Sequence, residues 1–302
     1  MSYVIVAPSP FRIQTLAISQ TAQLIKQRNR HANRYASQAE LINLISQRLL
    51  ERLELVTIEP EVILDLGSFD GATCRTLKTI YKKAQIIGIE PAAKLCQIAA
   101  KQVGWFDKQR YIAGMPEQLP IKDNSVDLVV LNLYPVWVDD PNPLFAEINR
   151  VLTAEGLVLF TSLGPDTLKQ LTECWHQVDT DHTHTMPFAD MHDIGDALTR
   201  NGFHNIVMEN EPLNIGYSDI DSIHDDLRYT GHALLATDRR KTLLGKKRYG
   251  DYVALLNSKF NPQLNITYDM VFGHGWKGYK QPKHAINAIP DQFDSIPIKS
   301  LD

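Results

Sequence analysis

The sequence feature that most constrains the fold is a short apolar run that ends in a glycine-containing loop. Residues 62–67 read Val-Ile-Leu-Asp-Leu-Gly, and the loop continues to Gly71. Such a run fits a strand buried on both faces, and Gly67 allows the sharp turn that must follow it. A second run ends in Glu90, 19 residues beyond Gly71, which is the spacing of an acid that meets ribose hydroxyls in a βαβ nucleoside site.

The acid before the loop bears on which nucleoside the site would take. The glycine spacing alone fits a dinucleotide and S-adenosylmethionine equally. Asp65 favours S-adenosylmethionine, because a carboxylate there would repel a pyrophosphate but can contact the cationic methionine end. A strand, turn and helix of an unrelated α/β fold remains the alternative on this evidence.

Apolar runs alternate with helix-like stretches through the first half of the chain. This alternation predicts βαβ units and a largely parallel sheet, with strands at 62–67, 85–90, 126–131 and 157–161 and helices at 38–56, 72–83, 143–152 and from Pro91. Residues 1–37 have a mixed pattern that defines neither a helix nor a strand. Beyond Gly164 we expect helices at 166–178, 190–201, 219–235 and 246–260, a pair of strands at 203–209 and 211–217, and a strand at 266–272.

Composition excludes several classes of protein. A net charge of -4 and a pI near 6.2 argue against a general nucleic-acid binder. No apolar run reaches the ~20 residues of a membrane span, and no basic segment precedes the apolar start, so we expect neither a span nor a signal peptide and predict a cytoplasmic protein. Three widely spaced cysteines predict free thiols, and the histidines His182 and His184 lack the partners that a metal site needs.

Longer motifs carry a family resemblance across roughly residues 28–277. The chain resembles class I methyltransferases, and within them the malonyl-[acyl-carrier protein] O-methyltransferases of biotin synthesis, at residues 145–152, 156–157, 163–169, 188–198, 202–203 and 267–276. The resemblance implies a Rossmann-like, largely parallel seven-stranded sheet with helices on both faces and a helical insertion after the fifth strand.

The resemblance also implies the chemistry and the residues that serve it. The family methylates the free carboxylate of a malonyl thioester, a nucleophile that is ionised near pH 7, so no catalytic acid or base is expected. S-adenosylmethionine is the implied cofactor, and Tyr35 would close a lid over it. The residues expected to bind the cofactor are Tyr35, Asp65, Gly67, Gly71, Glu90, Met115 and Asn132.

Three positions depart from the family pattern. Phe69 stands where a second glycine is usual; its ring would either crowd the donor pocket or be tolerated if the loop takes ordinary φ values. The pair Gly114-Met115 replaces an acid expected at the adenine, and Ala36 replaces an aspartate after Tyr35.

We expect the chain to divide into four segments and to carry a basic docking surface. The segments are an N-terminal lid or helical segment (1–60), a cofactor-binding α/β core (61–164), an acceptor-side elaboration with the last strands (165–277) and a flexible tail (278–302). Carrier proteins are acidic, so a basic run would steer their encounter. The residues of that run are Arg239, Arg240, Lys241, Lys246, Lys247 and Arg248.

Two other functions stay open on the sequence. Arginine-hydroxylase-like factors that assist assembly of respiratory complex I share this scaffold and a late Gly275-Trp276 pair, although residues 163–166 and 192–195 are closer to the biotin enzyme. A scaffold that has lost donor binding through Phe69 and Gly114 is the other. An arginine is expected to grip the acceptor carboxylate, with Arg75 and Arg228 as candidates.

Overall fold

A computed structural model describes residues 20–104, 107–229, 245–260 and 264–278. The helices are α1 (Gln20–Gln38), α2 (Glu40–Glu51), α3 (Ala72–Ile80), α4 (Ala93–Lys101), α5 (Pro141–Val151), α6 (Lys169–Val178), α7 (Met191–Arg200), α8 (Ile220–Tyr229) and α9 (Lys246–Phe260), with 3-10 turns at Arg52–Leu55 and Pro135–Trp137. The strands are β1 (Val62–Leu66), β2 (Gln85–Glu90), β3 (Gln109–Ala113), β4 (Val126–Leu131), β5 (Leu152–Leu163), β6 (His204–Tyr217) and β7 (Leu264–Trp276).

The seven strands form one sheet in the order β3-β2-β1-β4-β5-β7-β6. The strands β1 to β5 run parallel to one another, whereas β7 is antiparallel to both β5 and β6. The strand order therefore reverses between β1 and β4. In open α/β sheets, the crevice beyond the carboxyl ends of the strands at such a reversal is where ligands bind.

Two apolar layers cover the sheet, because its central strands bury alternate side chains on opposite faces. Every residue of β1 is buried, as the short apolar run predicts. One layer joins β1 and β4 to the apolar stripe of α2, in which Ile45 and Leu49 are fully buried. The other packs α5 and α7 on the opposite face, and Asp190 caps α7 by accepting a hydrogen bond from the His192 amide. The predicted largely parallel, seven-stranded class is confirmed.

Several predicted elements differ from the structure. The pattern of residues 1–37 did not define an element, and the structure has α1 there from Gln20 onward. The helix predicted at 38–56 is α2 followed by a 3-10 turn. The pair of strands expected at 203–209 and 211–217 is the single strand β6, and β3 was not predicted. Residues 230–235 of a predicted helix, Arg239 to Lys241 of the basic run, and the predicted tail beyond residue 278 lie outside the described residues.

β5 and β7 pack so closely at Gly273 that a substitution there tests the packing of the sheet. Gly273 pairs with Phe160, and a Cβ added there would collide with the Phe160 ring and lie 2.9 Å from the Met208 sulfur. We expect Gly273→Ala to lower the free energy of unfolding by about 1–3 kcal/mol, the range for overpacked cores. Urea denaturation measures it.

The control for that substitution is Gly250→Ala in α9. Gly250 is exposed, and a Cβ there meets nothing within 4 Å. Alanine is the better helix former, so this variant should gain about 0.5–1 kcal/mol. Equal urea midpoints for the two variants would contradict the tight fit at Gly273.

Candidate functional site

The loop after β1 bends as its two glycines predict. Gly67 has φ +75°, and its amide donates a 2.8 Å hydrogen bond to the Ile89 carbonyl of β2. Gly71 has φ +82°, and a Cβ there would collide with the Tyr111 hydroxyl. Both residues are therefore in conformations, and in spaces, that other residues fill only with strain. The loop brings the start of α3 against the carboxyl ends of β1 and β2.

Glu90 lies fully buried at the end of β2 and already has several partners. Its carboxylate accepts hydrogen bonds from the amides of Phe69 at 3.0 Å and Ala92 at 2.8 Å. Arg28 of α1 places its Nη1 at 3.4 and 3.5 Å from the two carboxylate oxygens. The side chains of this ion pair are 1% and 0% exposed. The acid predicted to meet ribose hydroxyls thus binds a guanidinium in this conformation.

Phe69 takes the conformation that favours glycine. Its φ is +50°, in the left-handed region that side chains adopt at a cost of roughly 1 kcal/mol. The sequence left two outcomes open for Phe69: a ring that crowds the donor pocket, or a loop with ordinary φ values that tolerates the ring. The second outcome is therefore wrong. The Phe69 ring stacks on Tyr35 with centroids 5.1 Å apart, and the Arg28 guanidinium lies 4.0 Å above the same ring. Phe69, Tyr35 and Arg28 together fill the space beside Glu90.

Asp65 is a buried acid that accepts a hydrogen bond from a thiol. The Cys74 sulfur donates to its Oδ2 at 3.1 Å. Burial raises the pKa of Asp65 to about 7; the negative charges of Glu90 and Asp70 add to this rise, and the Cys74 hydrogen bond opposes it. Near neutral pH this carboxylate is poised between its two protonation states.

The remaining predicted cofactor residues differ in how much they offer a ligand. Asn132 follows β4 and is buried; its amide donates to the Ile42 carbonyl at 3.1 Å, and the Thr161 hydroxyl donates to its oxygen at 2.9 Å. Both ends of Asn132 thus hold α2 and β5 to β4. Met115 is half-buried beyond β3, where its carbonyl accepts a hydrogen bond from Gln118.

The crevice suits a cationic nucleoside in its donor and acceptor set. Asp65 Oδ1, Ser68 Oγ and Tyr35 Oη are buried and make no hydrogen bond within the part of the chain that the structure describes. The negative charges of Asp65, Asp70 and Glu90 act on Tyr35. Unpaired buried polar atoms and a carboxylate of raised pKa are satisfied by a ligand that carries hydroxyl groups and positive charge. The residues present therefore fit S-adenosylmethionine, provided that Arg28 leaves Glu90.

The structure separates the two candidate arginines for the acceptor. Arg75 donates from Nη1 to the Asp70 carbonyl at 2.8 Å and lies 3.5 Å from the Asp70 carboxylate, so it belongs to the loop. The side chain of Arg228 lies outside the described residues.

An apolar cluster lies next to the crevice, where the β4 loop meets α1. Trp137 is buried there against Leu24 and Met186, with Phe188 packed beside them. Trp137 is thus part of a cluster that α1 covers. Among the described residues, no group of three or more His, Cys, Asp or Glu side chains is placed to hold a metal ion.

Comparisons with known proteins agree with this geometry. A methyltransferase domain family matches residues 64–160. The malonyl-[acyl-carrier protein] O-methyltransferase of Gallionella capsiferriformans is 36% identical over 256 residues, covering 82% of this chain and 88% of that protein. The enzyme of the same name from Legionella pneumophila is 32% identical and covers 85% of this chain and 90% of that protein.

Solved structures show the same fold at low identity. The YcgJ protein of Bacillus subtilis matches with a TM-score of 0.55 at 16% identity, covering 78% of this chain and 99% of that one. A methyltransferase structure from Bacillus halodurans matches with a TM-score of 0.53 at 12% identity, covering 77% of this chain and all of that one. Fold, loop and domain match define a class I, S-adenosylmethionine-dependent methyltransferase. Within that class the chain belongs to the malonyl-[acyl-carrier protein] O-methyltransferase family.

Sequence reasoning missed the residue that dominates this site. Arg28 was one of several basic residues before Tyr35, and nothing set it apart from a solvated charge. The available signal was helical spacing: Leu24, Arg28 and Tyr35 lie on one face of α1, and all three are buried.

In the part of the chain that the structure describes, no helix combines the length and the apolar character that a membrane span requires.

The raised pKa of Asp65 predicts how stability depends on pH. The folded protein binds a proton at Asp65 up to about pH 7, whereas the unfolded chain releases it near pH 3.8. Stability is therefore lost as pH rises between these values. Asp65→Asn removes this loss, so its stability relative to the native chain should improve by roughly 2 kcal/mol between pH 5 and pH 8.

Urea unfolding at several pH values measures the difference. Glu155→Gln is the control, since it also removes one carboxyl group but from an exposed position. A constant offset between Asp65→Asn and the native chain from pH 5 to pH 8 would show that Asp65 does not titrate in this range.

Proposed function

We propose that this chain transfers the methyl group of S-adenosylmethionine to the free carboxylate of malonyl-acyl carrier protein, as a step of biotin synthesis. The observation that carries the proposal is the extent of the likeness to the O-methyltransferases. It covers 256 residues with the Gallionella capsiferriformans relative, whereas the methyltransferase domain itself matches only residues 64–160. The likeness therefore includes the part of the chain that a specific acceptor would meet.

The chain's own residues have defined roles in this proposal. Glu90 would accept hydrogen bonds from the ribose hydroxyls, and Asp65 would face the cationic methionine end. Gly67 and Gly71 shape the loop between these acids, and Asn132 holds the end of β4 in place. S-adenosylmethionine supplies the methyl group when bound. Tyr35 and Met115 complete the proposed set, Tyr35 as part of a lid formed by residues 1–60.

The acceptor needs orientation rather than proton transfer. A malonyl carboxylate is already ionised at pH 7, so its oxygen attacks the methyl carbon without a general base. Holding the two reactants in line in a site without water can supply roughly 7–11 kcal/mol of the barrier. The buried apolar cluster of Leu24, Trp137 and Met186 beside the crevice supports such water exclusion.

A carrier protein would dock through the amino end of α9. Lys246 and Lys247 are exposed there. Arg248 lies 3.7 Å from the buried Asp179 carboxylate, which also bonds His184 at 2.9 Å, so Arg248 anchors the loop after α6 and contributes less to docking. Arg239, Arg240 and Lys241 would extend the surface. We place the reaction in the cytoplasm, a reducing compartment that suits three free buried thiols.

The direct test is transfer of radiolabelled methyl from S-adenosylmethionine to malonyl-carrier protein, with unloaded carrier protein as the control. We expect label on the malonyl form and its release by mild base, as for a methyl ester. Absence of transfer at saturating substrates, from protein shown to be folded, would reject the proposed function. Growth of a biotin auxotroph on this chain separates it from an arginine-modifying assembly factor.

The docking surface predicts a charge-reversal effect. Lys246→Glu with Lys247→Glu should lower kcat/KM for malonyl-carrier protein about tenfold or more at low salt, because encounter with an acidic partner depends on complementary charge. Activity on a malonyl thioester of free pantetheine should not change.

Lys82→Glu with Lys83→Glu is the matched control. These two lysines are also adjacent and exposed, but they precede β2, in the other half of the sheet from the strand β7 on which α9 packs. An equal loss of kcat/KM in both double variants would indicate a general effect of net charge and would remove α9 as the docking surface.

One observation favours a second candidate function. Phe69, Tyr35 and Arg28 fill the space beside Glu90, as they would in a scaffold that no longer binds the donor. Calorimetric titration with S-adenosylmethionine separates the two functions, since a scaffold gives no binding heat and the proposed enzyme does.

A further inference from the structure

Arg28 combines deep burial with incomplete bonding. Its side chain is 1% exposed, and its Nη1 shares two long contacts of 3.4 and 3.5 Å with Glu90. Its Nε and Nη2 are also buried and donate to no acceptor among the described residues. A guanidinium has five N–H donors, and it pairs best with a carboxylate through two parallel short bonds. The Arg28–Glu90 pair has neither the geometry nor the number of bonds that stabilise a buried ion pair well.

Arg28 occupies the position at which the proposed contact between Glu90 and the ribose would form. Two backbone amides fix the Glu90 carboxylate, and the face that remains is the one that Arg28 Nη1 contacts. Hydroxyl groups of a ribose need that same face. The guanidinium also rests on the Phe69 ring at 4.0 Å, so the loop after β1 supports Arg28 in this position.

We infer that Arg28 and the ribose of the methyl donor are alternative partners of Glu90, and that Arg28 thereby sets the affinity of this chain for the donor. The inference rests on the proposed function. When the donor binds, α1 shifts enough to withdraw the guanidinium, and the ribose hydroxyls take its place. The apparent affinity is reduced by the fraction of molecules in which Arg28 holds Glu90.

The incomplete bonding of Arg28 makes this exchange feasible. An ion pair with short, bidentate geometry would resist displacement, because breaking it would leave a buried charge without a partner. Here the carboxylate keeps its two amide bonds and gains hydroxyl donors, while the guanidinium leaves a site in which two of its three nitrogens have no acceptor among the residues that the structure describes. The hydrogen bond of the next residue in α1, from the Lys94 amide to Asn29 Oδ1 at 3.0 Å, is exposed to solvent.

The test is calorimetric affinity for S-adenosylmethionine and for S-adenosylhomocysteine in Arg28→Met and Phe69→Gly. Methionine keeps the length of the side chain without its charge, and glycine removes the ring that supports Arg28 while suiting the φ of +50°. We expect both variants to bind both ligands about tenfold or more tightly than the native chain, a factor that corresponds to one hydrogen bond to a charged group. Loss of a merely structural residue would instead weaken binding.

Arg30→Met is the matched control, because Arg30 is an exposed arginine on the same helix. Its affinities should equal those of the native chain. Circular dichroism and thermal unfolding establish that each variant is folded, and Phe69→Gly provides the test if Arg28→Met does not fold.

The outcomes separate this inference from the proposed function. Tighter binding of both ligands supports the inference. Unchanged or weaker binding in folded Arg28→Met and Phe69→Gly overturns it and leaves the proposed function standing. A gain limited to S-adenosylmethionine also overturns it, since removal of a positive charge would then act only through the sulfonium. Binding of neither ligand by any folded variant overturns the proposed function, and the inference with it.

Discussion

The central interaction of this structure is the binding of the Glu90 carboxylate by two backbone amides. The Phe69 amide belongs to the loop after β1, and the Ala92 amide belongs to the turn after β2. One buried acid therefore holds together the two turns that form the nucleoside crevice. Because each bond joins a charged acceptor to a backbone donor, each is stronger than a neutral hydrogen bond. Glu90 and the backbone thus set the geometry of this site, independently of the side chains of α1.

The predictable part of the fold is the part whose residues are buried on both sides. β1, β2, β4 and the core of β5 were found because continuous apolar runs have few other uses in a globular chain. The two glycines and Glu90 were found because a sharp bend and an acid at fixed spacing follow from the loop geometry. The strands that were missed or divided are the two outer ones.

Those outer strands carry a weak signal for a physical reason. β6 is an edge strand, so the polar segment from Glu209 to Pro212 can continue it: a proline needs no hydrogen bond on the open side. Arg52 then pairs with the Glu209 carboxylate, which gives the polar residues a partner from the 3-10 turn after α2. In the same way, β3 includes Gln109 and Arg110 at the other edge. Sequence alone shows such residues as a break, because it does not reveal which side of a strand is open.

Arg28 and Phe69 are best understood as one feature. Phe69 alone is a residue in an unfavourable φ region, and Arg28 alone is a buried cation with a poor ion pair. Together they are consistent, because the ring supports the guanidinium and the guanidinium balances Glu90 in a crevice that also contains Asp65 and Asp70. Of these three acids, Glu90 has Arg28 and Asp70 has Arg75, whereas Asp65 bonds a thiol and has a raised pKa. A crevice with this charge balance favours cations, and the same field that would hold a sulfonium also holds an arginine of α1. The filled crevice is therefore a consequence of the site's electrostatics, and it does not by itself indicate that the site has lost its ligand.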